Sequence, residues 1–126
     1  MSEVIIKNRQ GIFVFQVEDI VYMEKNLRKI CLHARIAGGQ EQQQIEFYGR
    51  FAEIVTQLDD RFMHCHRSYV INMDEIVWMR GCEIFIMPNT RIHMGKDTYG
   101  RARRIFEEYL RKKYPEKTLK NTKFFL

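Results

Sequence analysis

Residues 62–72 read "FMHCHRSYVIN": two histidines, a cysteine and an arginine set against the start of an apolar, strand-like run. His64, Cys65 and His66 are all metal-ligand types. On a strand His64 and His66 share a face, with Cys31, His33, Cys82 or His93 as remote partners. Zinc sites usually offer two closely spaced pairs, whereas this chain offers one, so the spacing argues against a metal centre. A Cys–His nucleophilic pair also fails, because adjacent strand residues point to opposite faces. That leaves a packing role, with Cys65 a small core hydrophobe and His66 a hydrogen-bonded histidine at the core edge. Arg67 is different. Anchored by Phe62, Tyr69 and Ile71, its guanidinium projects from a rigid base, which suits bidentate recognition of phosphate or guanine. An ordinary surface salt bridge suits it equally, and the residues alone leave both open.

Outward from this stretch the pattern is mostly β. "GIFVFQV" and "DIVYME" are rich in apolar β-formers, and in "RKICLHA" Ile30, Leu32 and Ala34 alternate with Lys29, Cys31 and His33, the two-residue period of a half-buried strand. The turn-prone "AGGQEQQQ" leads to a short strand at "IEFYG". Phe51, Ile54, Val55 and Leu58 then fall at helical spacing, predicting one short amphipathic helix. After Asn72 a meander follows: "EIVWM", a turn at Arg80 and Gly81, "CEIFIM", a turn at "PNT", and "RIHM". Beyond Gly95, Tyr99, Ala102, Ile105, Phe106, Tyr109 and Leu110 line one helical face, with Asp97 or Thr98 as N-cap and Pro115 as the stop. The tail "EKTLKNTKFFL" reads as a loosely ordered end or as a segment docking on a neighbour.

At 126 residues and 45% hydrophobic content the chain suits one folded domain. No apolar stretch approaches the roughly 20 residues of a membrane-spanning helix, and the N-terminus lacks a signal-peptide core. The three cysteines, Cys31, Cys65 and Cys82, form neither a disulfide framework nor a C-x-x-C pair, which fits a reducing compartment. The expectation is a cytoplasmic protein without membrane contact. A net charge of +5 favours a polyanionic partner.

"FMHCHRSYVINMDEIVWM" resembles the signature of the LytTR family of bacterial DNA-binding domains: Phe62, then His66, Arg67, Ser68, Tyr69, Val70, Ile71, Asn72 and Ile76. "DIVYMEKN" resembles the family's first shared strand, and "QQIEFYGRFAEIVTQLDDRFMHCH" resembles the DNA-binding part of a response regulator of that family. The resemblance covers roughly residues 3–105. It implies a mainly β fold, an elongated stack of small antiparallel sheets with one short internal helix, here followed by a C-terminal amphipathic helix. It also implies a sequence-specific transcription regulator, not an enzyme, that needs no cofactor and reads successive major grooves of duplex DNA with loop residues.

By position, the resemblance puts the first contact region after Glu24, on Arg28 with Lys25, Asn26 and Lys29 beside it. The middle contact falls on Arg67, with Ser68 as a phosphate or turn hydrogen-bonder, and Asn72 stabilises a turn. The last region follows "RIHM", where the family often has Ser-Arg and this chain has Gly95, Lys96 and Asp97. Lys96 is the substitute contact, with Arg91 or Arg101 as alternatives. The domain division is 1–105 for the DNA-binding body and 106–126 for a helical extension and basic tail. No receiver domain is expected upstream, and direct-repeat sites with a possible homodimer on DNA are. The alternative from a different class is a basic module that binds RNA or a protein without promoter recognition; a third is a metal site at His64 and His66.

Overall fold

The computed structural model describes residues 2–117. The strands are β1 (Glu3–Asn8), β2 (Gly11–Gln16), β3 (Ile20–Asn26), β4 (Lys29–Arg35), β5 (Gln42–Tyr48), β6 (Phe62–His66), β7 (Tyr69–Asn72), β8 (Ile76–Arg80), β9 (Glu83–Ile86) and β10 (Thr90–His93). Helix α1 (Phe51–Ile54) continues as a 3-10 turn over Val55–Gln57, and α2 spans Lys96–Lys113. All pairings are antiparallel, in three sheets: β1-β2, β5-β4-β3-β7-β6 and β10-β9-β8.

The alternation read in the sequence explains how the sheets stack. In β4, Ile30, Leu32 and Ala34 are buried while Cys31, His33 and Arg35 are not. The buried set joins Met23, Ile45, Phe47 and Val70 on one face of the five-stranded sheet, which Val4, Ile6 and Phe15 of the β1-β2 hairpin and Phe51 and Ile54 of α1 cover. A bulge in β3 between Ile20 and Tyr22 reorients its start, so Val21 and Tyr22 enter a second core with Met63 and Ile71. Ile84, Ile86 and Ile92 of the three-stranded sheet and Ala102 of α2 complete that core. The central sheet is therefore covered on both faces, and small sheets stack as expected. The periodicity reading begins at Gly11. The structure adds β1, joined to β2 by a turn in which Asn8 Oδ1 accepts from the backbone N–H of Gln10 (2.8 Å) and Gly11 (3.2 Å).

Among the described residues, Asn72 is the one polar side chain buried with these cores, 0% exposed. Its amide donates to the Ile20 carbonyl (2.8 Å), and its Oδ1 accepts from the Asp74 backbone N–H (2.9 Å), capping the 3-10 turn Met73–Glu75 before β8. This is the turn-stabilising role expected of it.

Helix α2 runs unbroken past residue 105 and packs its N-terminal half against β6. Its far end is tied to the body by Asp74, which accepts from Tyr109 Oη (2.7 Å) and pairs with Lys113 Nζ (2.5 Å). Burial raises the Asp74 pKa, but the bonds from Lys113 and Tyr109 outweigh it and hold the carboxyl below its ordinary value. A depressed carboxyl contributes stability above its unfolded pKa and loses it as pH falls through the folded one. The urea midpoint should therefore drop on acidification from about pH 7 to about pH 3, and drop less in Asp74→Asn, which has no carboxylate to protonate. Equal drops in both proteins would assign the acid sensitivity to other groups. The expected docking or loose ordering of the C-terminal tail concerns residues 116–126, of which 118–126 lie outside those described.

Candidate nucleic-acid interface

The opening cluster resolves into separate duties. Phe62 packs on the first core; Met63 is buried in the second, and Cys65 packs against it. His64 lies edge-on to Phe51, centroids 5.1 Å apart. His66 Nδ1 accepts from the Ser68 backbone N–H (2.9 Å), closing the β6–β7 turn, and its ring leans on Tyr69 at 5.3 Å. Burial and the neighbouring Arg67 both lower the His66 pKa. The ring is therefore neutral near pH 7, as an acceptor nitrogen requires. Arg67 sits exposed in the turn, and among the described residues it forms no ion pair.

Beside this turn stands the β3–β4 hairpin tip. The Lys25 N–H donates to the Ser68 carbonyl (2.8 Å), so the two loops are fixed to each other through backbone. Asn26, Arg28 and Lys29 are exposed and Lys25 half-buried; Lys29 Nζ lies 5.6 Å from the Tyr48 ring centroid. Sequence reasoning passed over Leu27. It occupies the turn with φ +60° and is 90% exposed. Left-handed backbone costs a non-glycine residue about 1–2 kcal/mol, and an apolar side chain gains nothing from water. The signal was available as a leucine standing between Asn26 and Arg28, where a turn residue belongs. Leu27→Gly should raise unfolding stability by about 0.5–1 kcal/mol. If the tip enters a groove, the same variant should bind duplex DNA more weakly, so a joint thermal-unfolding and DNA-titration measurement separates the two effects.

The remaining sequence candidates are more dispersed. Lys96 is exposed at the first position of α2, directly after the extended Gly95. Arg101, one turn on, is close enough to β6 that its charge pulls the Cys65 thiol down against the stronger upward effect of burial. Arg91 is not brought to the hairpin tip. It lies on the outer face of the three-stranded sheet, 3.9 Å from Glu83 and with its guanidinium 5.6 Å from the Trp78 ring centroid. Trp78 also carries Arg80 at 4.3 Å and stacks on Phe85 at 5.2 Å.

On the second-core face of β3 and β4, past Tyr22 and half-buried, lie Glu24, Cys31 and His33. Among the described residues they form the one group of three metal-ligating side chains, their ligand atoms within 4.8 Å of one another. His64 and His66 belong to no such group. The Cys31 thiol is pushed up by burial and by Glu24 and Glu46.

A family model for the LytTr DNA-binding domain matches residues 10–107. The chain belongs to the LytTR family. The accessory gene regulator protein A of Staphylococcus aureus (strain N315) is 41% identical over 61 residues, 48% of this chain. The protein of the same name from Staphylococcus epidermidis gives the same identity and coverage. The chain's match spans 24% of these curated relatives' length. A solved LytTr DNA-binding domain from Bacillus cereus superposes with TM-score 0.65 at 19% identity, covering 83% of this chain and 96% of that one. At that identity the superposition speaks for the fold, and it agrees with the expected stack of antiparallel sheets. Among the described residues no helix of this LytTR domain is long and apolar enough to cross a membrane.

Proposed function

We propose that this LytTR domain is a cytoplasmic, sequence-specific duplex-DNA-binding module of a bacterial transcription regulator. The observation that carries the reading is the coupling of two exposed cationic loops. Arg67, free of carboxylates among the described residues, stands on a turn bonded through Ser68 to the hairpin presenting Arg28 and Lys29. In this reading Lys25, Asn26, Arg28 and Lys29 enter one major groove, while Arg67 and Ser68 contact the duplex beside it. Lys96, with Arg101 behind it, reaches the next groove, and Arg91 is an outlying phosphate contact. The DNA-binding body is residues 1–105. Of the described cations of the extension beyond it, Arg111 and Lys113 are paired with Glu107, Glu108 and Asp74, which suits a packing role, while Lys112 and Lys117 form no ion pair among the described residues.

One such domain covers a short half-site, so two copies should occupy direct repeats about one helical turn, roughly 10 base pairs, apart. Selecting bound fragments from a random duplex pool tests this: enrichment of a repeated motif is expected, and a pool that stays random after selection refutes sequence-specific binding. The Trp78–Phe85 stack, flanked by Arg80 and Arg91, supports a second reading as a platform for unpaired bases. Under the first reading, excess single-stranded RNA at matched salt leaves the selected duplex bound; displacement favours the second.

A further inference from the structure

We propose that Glu24, Cys31 and His33 form a binding site for a thiophilic divalent cation of the Zn2+ class, a cross-strand staple at the root of the β3–β4 hairpin. Register places the residues together. Glu24 is the direct partner of Cys31 across β3–β4, and Glu46 is the direct partner of Cys31 across β4–β5. His33 follows Cys31 by two on the same strand, hence on the same face. Three adjacent strands therefore present carboxylate, thiol and carboxylate in one row, with an imidazole next to it.

The dimensions fit. Zinc bonds of about 2.0–2.3 Å in a tetrahedron put ligand atoms roughly 3.3–3.8 Å apart. His33 Nε2 and Glu24 Oε1 already stand at 3.3 Å, and no pair in the triad exceeds 4.8 Å, so side-chain rotation closes the set. The stacking of His33 on Tyr22, centroids 4.1 Å apart and 7° from parallel, fixes the imidazole plane. Cys31 Sγ now donates to Gln44 Oε1 at 3.3 Å, a weak bond that a metal–thiolate bond replaces.

The charge balance also points to a cation. In a chain of net charge +5, two glutamates flank one thiol, and among the described residues neither Glu24 nor Glu46 has a lysine or arginine partner. The donor set selects the class, because sulfur and imidazole nitrogen suit Zn2+ whereas Mg2+ and Ca2+ require oxygen. Glu46 or water supplies the fourth position. A cation here clamps β3 to β4 two residues below Asn26 and cancels negative charge beside Lys25. Any gain in DNA affinity rests on the function proposed above, but the metal binding itself does not.

The test is titration of the metal-stripped chain with Zn2+ against a chromogenic chelator, and with Co2+ followed by its thiolate charge-transfer absorption. One equivalent is expected to bind, weakened at least about tenfold in each of Cys31→Ser, His33→Gln and Glu24→Gln, and unchanged in Cys65→Ser and Cys82→Ser. Zn2+ should also raise the unfolding temperature of the parent chain and not that of Cys31→Ser. The inference is overturned by no binding at micromolar Zn2+, by binding unaltered in the three ligand variants, or by binding lost in His64→Gln or His66→Gln instead. Because these readouts need no DNA, failure of the metal site and failure of DNA binding are told apart.

Discussion

Arg67→Ala is expected to weaken binding to a selected duplex site by about 1–3 kcal/mol, roughly 5- to 150-fold, while random duplex DNA loses much less. The asymmetry follows from what an arginine can read. A guanidinium offers a rigid fork of donors that matches guanine O6 and N7, and a wrong base leaves those donors poorly paired. A phosphate contact is the same on every sequence and carries no such discrimination. Arg67 is suited to the first role because its base is fixed. Its turn is closed by His66 and Ser68 and bonded to Lys25, and among the described residues no carboxylate competes for it. Fluorescence anisotropy on selected and scrambled duplexes at one salt concentration measures the difference, with Arg67→Lys alongside. Lysine keeps the charge and loses the fork, so it should rescue scrambled binding and not the selected site. Equal losses on both duplexes would make Arg67 a phosphate contact. Since the side chain is exposed, the unfolding midpoint should not change.

Asn72→Ala should cost about 2–4 kcal/mol of folding stability, a large share of a small domain's total. Two bonds go at once. The Ile20 carbonyl, on a residue fully buried, loses its donor where water does not reach, and the turn over Met73–Glu75 loses its cap. Asn72→Asp should be no better: its carboxylate still accepts from Asp74 N–H, but an acceptor then faces the Ile20 carbonyl. Urea unfolding followed by Trp78 fluorescence gives the number, and a loss below about 0.5 kcal/mol would mean that the freed carbonyl finds another donor. Because Asn72 ends β7, the strand that begins just after Arg67, DNA affinity should fall in Asn72→Ala only through the unfolded fraction.

His66 shows how the cluster's local chemistry reaches function. Its acceptor nitrogen is lost on protonation, and with the folded pKa held down by burial and by Arg67, stability declines as pH falls from the ordinary histidine range towards the lower folded value. DNA binding by the parent should therefore weaken on mild acidification more than binding by His66→Asn, whose side-chain oxygen accepts at any pH. A parallel decline in both would place the pH sensitivity elsewhere.

Much of this molecule was legible in its residues. Alternation in "RKICLHA" names the buried face of β4, because a strand's two-residue period is local and burial simply selects one parity. Helical spacing marks α1 and α2 for the same reason, and the "HRSYVIN" run carries the family. The packing duties of Cys65 and His66 followed from residue type alone.

Other features depended on register, which periodicity does not encode. Whether Glu24 faces Cys31 and His33 is settled by a pairing between strands and by where a bulge falls, so the better metal constellation lay in a different place from the adjacent histidines that drew the eye. Leu27's left-handed backbone is forced by closing a two-residue hairpin, and the Lys25–Ser68 bond joins loops more than forty residues apart. Sequence thus determined which face of each element is apolar and which side chains are chemically able to meet a polyanion. Only tertiary structure decided which of those side chains stand together, because proximity across strands is set by the packing of two cores on opposite faces of one sheet.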